Sequence, residues 1–436
     1  MHLINDYENE FFYRKKMVLL CVKNEITNVS SFGIGGILTS IFFESRILKF
    51  FDKTIFLKQS FKILLGSLLS ILLLPFIILL SAYSLGHLNW YRKANNLSKY
   101  KSLFLSYDNS GFNKVNASSY MDSSLCILHD NISKNKKADQ MSMFKNLFAI
   151  EKFFFVPFLY PIFVLRDFIS CFKMLCMNQS YQTIDVFYLI DFFLRIPHKC
   201  LYEITMYLYL KRGIFNTVIT SNKEDRFAML EARLCRMNKI PLICIPHGVE
   251  YELLFPTGLA GDKFYCTSEA AKNSLSDIYN EKNKFVYNKK LLNDIYNKNL
   301  NNSRPLKIIF FSEPRVKKVN IKICKYLLDM EIDFLLKIHP SESKDYYINA
   351  LGSIKFEDDY DNAIKGNICI ARTSSILLEA QYNLSYPICV SINDYDRYVV
   401  NNLIPSLRSE NIVNVSSLSD LYKNITSIKD TISYHG

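Results

Sequence analysis

Short apolar runs that end in polar residues alternate with amphipathic stretches along most of the chain. Apolar runs of this length indicate buried strands, and an apolar period of about 3.6 residues indicates helices. Strands are predicted at 15–22, 102–110, 123–131, 215–221, 240–248, 262–268, 305–314, 332–340 and 385–392, with one more ending at Arg372. Strands that alternate with helices predict parallel sheets covered on both faces.

The pattern predicts an α/β protein of two Rossmann-like domains that face a cleft. A chain of 436 residues is long enough for two domains. The first is expected at 1–257, including the apolar segment 63–91 and long helices within 143–212, and the second at 258–436. In open parallel sheets, ligands bind beyond the carboxyl ends of the strands. The cleft is therefore the expected site.

The segment 63–91 contains no Asp, Glu, Lys or Arg and is long enough to cross a bilayer. Lysines and arginines cluster on both sides of it, which suits an anionic membrane surface. We expect this helical segment to associate with a membrane, and the pattern leaves open a span, a surface-lying hairpin or a buried hairpin. A second membrane-facing surface or an ordinary helix core is predicted from the aromatic residues Phe153, Phe154, Phe155, Phe158, Tyr160 and Phe163.

The charge balance and the cysteine spacing limit which kinds of ligand and which redox setting are expected. The chain has 53 Lys and Arg against 41 Asp and Glu, but the basic residues form no stripe typical of nucleic-acid binding. None of the eleven cysteines forms a CxxC pair, and Cys126 and Cys244 are each followed three positions later by a single histidine. This usage predicts reduced, buried thiols in a cytosolic setting and no metal site. No secretory signal is visible at the start of the sequence.

Polar side chains follow the predicted strands at the point where each strand ends. They are Asp108, His129, Ser221, His247, Ser312, Glu313, His339, Thr373 and Ser374. The stretch "FLLKIHPSES" places Lys337 and His339 at a strand end, where Pro340 fixes the exit of the backbone. Lysine and histidine both donate hydrogen bonds to phosphate oxygens.

The stretch "CIARTSSILLEA" predicts a second part of an anion site. Thr373, Ser374 and Ser375 open a helix, where hydroxyls and free N–H groups either cap the helix or cradle an anion. Glu379 lies one turn further and is a candidate for ribose contacts. Ser312 and Glu313 in "IFFSEPR" are expected to face the same crevice.

The first domain offers candidates for a general base. Glu224 and Asp225 lie at a predicted helix start, where carboxylates are also favoured as helix caps. His247 ends the next strand in "IPHGVEYE". A sugar hydroxyl is a poor nucleophile and needs such a base nearby.

The His339-Pro340 pair followed by Ser374-Ser375 resembles the motifs of the bacterial sialyltransferases and polysialyltransferases of the GT-B fold. The resemblance covers roughly residues 215–395. It implies that the His-Pro and serine motifs bind the CMP part of a CMP-sugar and that an acidic motif supplies the base. That motif ends in glycine in the family, whereas Arg226 follows Glu224-Asp225 here.

The resemblance implies an inverting, metal-independent transferase without a cofactor. It would move a nonulosonic acid, sialic acid in the first instance, to a lipid-linked glycan of O-antigen or capsule at the cytoplasmic face of the bacterial inner membrane. The pattern "HG … HP … SS" is also similar to the CDP-glycerol and CDP-ribitol phosphotransferases, where His247 would be the base. The pattern also leaves open a Kdo transferase and a non-catalytic GT-B-like scaffold of a polysaccharide assembly complex.

Overall fold

A computed structural model describes most of the chain from residue 59 onwards. The described residues are 59–86, 90, 97, 100–106, 111, 114–115, 124–128, 141–142, 144, 147–177, 186–223, 227–246, 248–252, 258–297, 306–314 and 317–435. The predicted strand at 15–22 lies outside them.

The first sheet contains seven parallel strands in the order β3-β2-β1-β4-β5-β6-β7. They are β1 (Ser102–Ser106), β2 (Ser124–Leu128), β3 (Met141–Ser142), β4 (Thr217–Thr220), β5 (Leu242–Cys244), β6 (Lys263–Cys266) and β7 (Phe285–Tyr287). Leu103 pairs with Leu125 on one side and with Val218 on the other. The strand order therefore reverses between β1 and β4, which is the topological switch point of a doubly wound sheet.

Long helices cover this sheet. They are α1 (Gln59–Gly86), a π-helical turn (Glu151–Phe155), α2 (Val156–Met177), α3 (Val186–Lys211), α4 (Ala228–Met237), α5 (Glu269–Tyr279) and α6 (Lys289–Tyr296). Ile77 of α1 belongs to the same buried core as Leu103 and Val218 of the sheet. The apolar segment is thus helical, as predicted. No helix in the described part of the chain meets the length and hydropathy needed to cross a membrane.

The aromatic residues of 153–163 divide between surface and core. Phe153, Phe154 and Phe158 are exposed, whereas Tyr160 is only 3% exposed. The Tyr160 hydroxyl donates to the carbonyl of Pro197 at 3.2 Å. Of the two alternatives that the sequence left open, the outward-facing surface holds for Phe153, Phe154 and Phe158 and the helix core holds for Tyr160, whose buried phenol has a hydrogen-bond partner.

The second sheet contains five parallel strands in the order β12-β11-β10-β8-β9. The strands are β8 (Ile308–Phe311), β9 (Leu335–Lys337), β10 (Ile368–Ala371), β11 (Tyr386–Val390) and β12 (Val413–Val415). Its helices are α7 (Lys317–Asp329), α8 (Lys344–Leu351), α9 (Tyr360–Ile364), α10 (Ile376–Gln381), α11 (Asp394–Asn402), a 3-10 turn (Pro405–Arg408) and α12 (Leu418–His435).

Both faces of the second sheet are buried. Ile308 and Phe310 pack into one core, and Ile309 and Phe311 pack into another on the opposite face. This explains why its strands read as continuous apolar runs instead of alternating ones. The predicted α/β class with parallel sheets is confirmed.

The change from one sheet to the other does not fall at residue 257, where the sequence placed it. Cys244 of β5 pairs with Phe264 of β6, and Phe264 pairs with Phe285 of β7. The first sheet thus continues to Tyr287, and the second begins at Ile308. The correction arises because two further short apolar strands extend the same parallel sheet.

One hydrophobic core connects the two sheets. Cys244 and Phe264 of the first sheet share a buried cluster with Ile309 and Cys369 of the second. The fully buried carboxylate of Glu250, after β5, accepts a hydrogen bond from the Ser406 hydroxyl of the 3-10 turn at 3.3 Å. The two sheets are therefore joined by apolar and polar contacts together.

Candidate functional site

The second sheet has its topological switch point between β8 and β10. From β8 the chain first adds β9 on one side and then crosses to add β10 on the other. Helices then leave these strands on opposite faces, and a crevice opens beyond their carboxyl ends. The polar residues that follow β8, β9 and β10 are those that the sequence singled out.

Ser312 and Glu313 follow β8, which lies between β9 and β10, and they reach in opposite directions. The Ser312 hydroxyl oxygen accepts from the backbone N–H of His339 at 3.1 Å, beyond β9. The Glu313 carboxylate accepts from the backbone N–H and, at 2.8 Å, from the hydroxyl of Thr373, beyond β10. Two adjacent residues therefore fix the ends of both neighbouring strands, so their polar groups position the site.

His339 is exposed, and its ring is held in one tautomer. Its Nδ1 accepts from the backbone N–H of Ser341 at 3.2 Å and lies 2.8 Å from the Ser341 hydroxyl. An Nδ1 that accepts from a backbone N–H carries no proton, so the neutral ring carries its proton at Nε2. The exposed imidazole can therefore donate from Nε2 to an anion.

Thr373, Ser374 and Ser375 are partly exposed at the start of α10. The Ser374 hydroxyl oxygen accepts from the N–H of Ile376 at 3.3 Å, whereas the Ser375 side chain makes no capping hydrogen bond. Because α10 has only six residues, its dipole is small. An anion here would depend on side-chain donors more than on the helix.

A buried ion pair is formed by Arg372, the residue that directly precedes this turn. Arg372 is completely buried and donates to the Asp396 carboxylate from Nε at 2.7 Å and from Nη2 at 2.6 Å. Its Nη1 lies 3.3 Å from the Asn320 side-chain oxygen. A charged residue at the end of the apolar strand "ICIA" is the sequence signal for such a pair, because a buried charge needs a partner.

The same polar network continues to β8 and β9. Asn320 donates to the carbonyl of Glu313 at 2.7 Å and to the Tyr347 hydroxyl at 2.9 Å. Tyr347 donates to Glu342 at 2.9 Å, and the Ser312 hydroxyl donates to the other oxygen of that carboxylate. Burial raises the pKa of Tyr347, which keeps its hydroxyl protonated as a donor. Sequence reasoning missed Asn320, Glu342 and Tyr347.

Two predicted nucleotide contacts are engaged elsewhere. The Lys337 ammonium donates to the carbonyl of Asp358. Glu379 accepts from the Tyr360 hydroxyl at 2.6 Å and lies 3.8 Å from the ammonium of Lys114, which follows β1 of the first sheet. Glu379 thus links the α10 turn to the carboxyl edge of the first sheet. Pro340 is exposed after His339.

The candidate bases Glu224, Asp225 and His247 lie outside the described residues, as do Asp108 and His129. Ser221 is described and is buried at the end of β4. Glu250 is a carboxylate that the sequence did not indicate. It accepts from the Thr267 N–H at 2.8 Å and hydroxyl at 2.6 Å. Burial raises its pKa.

The cysteines and carboxylates form no metal centre in the described ranges, where no group of three or more ligating side chains comes together. Seven cysteines are described there, and all are buried and free of disulfides (Cys200, Cys235, Cys244, Cys266, Cys324, Cys369 and Cys389). The prediction that the cysteines are buried is confirmed for these seven.

Comparisons with known proteins identify no relative. No family model, no curated protein and no solved structure matches this chain.

Proposed function

We propose that the chain is a GT-B glycosyltransferase that transfers a nonulosonic acid, sialic acid in the first instance, from a CMP-sugar to a glycan of O-antigen or capsule. One observation carries the proposal: Ser312 and Glu313 fix His339 and Thr373 on either side of the switch point. The turns after β9 and β10 are thereby held around one crevice, with His339 as the donor on one side and the hydroxyls of Ser374 and Ser375 as the donors on the other. Such preorganised donors suit the phosphate of a nucleotide.

The expected chemistry is a displacement at the anomeric carbon. The acceptor hydroxyl attacks the anomeric carbon, the bond between that carbon and the CMP oxygen breaks, and CMP leaves with the electron pair. His339, donating from Nε2, and the hydroxyls of Ser374 and Ser375 would stabilise the charge that develops on the phosphate. The hydroxyl proton passes to a base, for which Asp225, Glu224 and His247 are the candidates.

Nucleotide binding tests the donor site directly. We expect CMP, but neither UDP nor GDP, to raise the melting temperature of the protein. His339→Ala should weaken CMP binding by tenfold or more, because a hydrogen bond to a charged group contributes about 1.5–3 kcal/mol, whereas His339→Gln keeps a donor and should lose less. Lys355→Met is the matched control, since Lys355 forms only an exposed pair with Asp333. Equal CMP binding by His339→Ala would refute the assignment.

Turnover tests the reaction class. Membranes containing the protein and a lipid-linked acceptor are incubated with CMP-sialic acid, CMP-Kdo or CDP-glycerol, and nucleotide release is followed. Release from CMP-sialic acid supports the proposal. Release from CDP-glycerol alone, lost in His247→Ala and kept in Asp225→Ala, would replace it with polyol-phosphate transfer. If no nucleotide is released from any of the three donors, the result would favour the alternative of a non-catalytic scaffold.

A further inference from the structure

The outer side of α1 is apolar along its length. Leu68, Leu72, Phe76, Leu79 and Tyr83 recur at helical spacing and are all at least half exposed, with Leu72 at 64% and Leu79 at 66%. An exposed apolar patch of this extent on a protein marks an interaction surface.

A second apolar stripe lies on α2, which packs against α1. Phe158, Ile162, Leu165 and Ile169 follow the same spacing and are likewise exposed, with Phe158 at 63%. Two adjacent helices therefore present large apolar side chains outward.

Hydroxyl side chains lie on the packed side of these helices, although the Arg166 side chain of α2 is 41% exposed. The buried Tyr160 phenol of α2 hydrogen-bonds with Ser81 of α1, whose hydroxyl also donates to the carbonyl of Ile77 at 2.6 Å. A helix layer with polar side chains inside and apolar side chains outside is the reverse of a layer that faces water. It is the arrangement of segments that contact hydrocarbon.

A buried charge cluster lies deeper in the same layer. The Lys199 ammonium of α3 lies 2.7 Å from the Asp167 carboxylate of α2 and 2.6 Å from that of Glu203, and all three residues are buried. Charges that are paired inside a helix layer, beneath an apolar exterior, are typical of proteins in contact with lipid.

The charge pattern in and around residues 63–91 favours a lipid surface over a protein as the partner. Residues 63–91 carry no Asp, Glu, Lys or Arg, so this stretch supplies none of the charged groups that rim a protein interface. Lys53, Lys58 and Lys62 precede the segment in sequence, and Arg92 and Lys93 follow it. Basic residues at both ends of an apolar helix complement anionic headgroups.

We propose that the exposed face of α1 and α2 inserts into one leaflet of an anionic bilayer, with α1 lying in the interface. The packing of α1 on the core of the first sheet, through Ile77, favours this placement over a span. The inference is independent of the nucleotide site.

Flotation with phospholipid vesicles tests the proposal. The full-length protein should bind vesicles that contain phosphatidylglycerol, and binding should weaken with vesicles of phosphatidylcholine alone and at high salt. Leu72→Glu, Phe76→Glu and Leu79→Glu together should reduce vesicle binding at least tenfold. Unchanged far-UV circular dichroism and an unchanged melting temperature without lipid would show that this variant remains folded.

The matched control places three glutamates at exposed apolar positions elsewhere, Met237→Glu, Ile348→Glu and Leu384→Glu, and should bind vesicles like the wild type. Absence of wild-type flotation, or equal flotation by the α1 variant, would overturn the proposal. The proposal would also be overturned if the wild type forms a dimer without lipid, the α1 variant is a monomer, and the protein does not bind vesicles. Protease added outside the vesicles should remove tags at both chain ends, and protection of either end would overturn the interfacial placement.

Discussion

Replacing Asp396 by asparagine should destabilise the protein more than any exposed charge removal. Asp396 is completely buried and accepts from Arg372 at 2.7 and 2.6 Å and from the Asn393 side chain at 2.7 Å. Asp396→Asn removes the charge opposite a buried guanidinium and places an N–H donor near its N–H groups. Breaking a buried pair in this way costs about 3–5 kcal/mol, a large share of a typical stability of about 5–15 kcal/mol.

The same helix offers the control. Asp394 lies two positions earlier, pairs with Arg397 and is 64% exposed. An exposed pair contributes about 0–1 kcal/mol, so Asp394→Asn should change little. The variants should thus differ by about 2–5 kcal/mol, or roughly 4–20 °C in melting temperature for a domain of about 150–250 residues.

Urea unfolding followed by far-UV circular dichroism gives this difference. The only tryptophan, Trp90, packs with the first sheet, so its fluorescence would report the wrong half of the chain. A difference below about 1 kcal/mol between the two variants would refute the role given to the pair. Replacing both partners, as in Arg372→Met with Asp396→Leu, should cost less than Asp396→Asn alone, because no buried charge then lacks a counter-ion.

Three further outcomes are expected. Gly261→Ala should cost more than about 1 kcal/mol in urea unfolding, because Gly261 has φ +103° and an added Cβ would lie 2.8 Å from the Lys263 carbonyl oxygen; unchanged stability would contradict this. Iodoacetamide at pH 8 should leave Cys369 unmodified until urea is added, since burial raises its pKa to about 12, and peptide mass spectrometry of the native protein checks this. Burial also raises the pKa of Tyr160 from 10.0 to about 12. Its folded-state pKa therefore exceeds the unfolded value, and its contribution to stability should be lost as pH rises from 10 to 12; thermal melts should show a steeper loss than in Tyr160→Phe, and parallel curves would contradict this.

Much of the second sheet could be predicted from sequence. The apolar runs that became β8, β10 and β11 are buried on both faces, which makes them continuous and easy to recognise. The strands β7 and β12 were missed because "FVY" and "VNV" are short runs set among polar residues, whereas the equally short β5 and β9 lie within longer apolar runs.

The sequence could predict which residues of the candidate site lie together, but not the contacts that each of them makes. Parallel strands end at one edge of a sheet, so Ser312, His339 and Thr373 could be grouped from their positions alone. The sequence could not indicate that Glu313 would bond Thr373, or that Asn320 and Tyr347 would connect the three strand ends. Asn320 and Tyr347 lie on helices α7 and α8, whose orientation over the sheet depends on packing.

The core that joins the two sheets has a consequence for synthesis of the chain. It includes Cys244 of the first sheet and Ile412, which precedes the last strand. At about 5–20 residues per second, the ribosome needs roughly 10–30 s to pass from one to the other. During that interval the apolar side of the first sheet has no second sheet to cover it. The nascent chain should therefore need a chaperone that holds this surface until Ile412 has been synthesised.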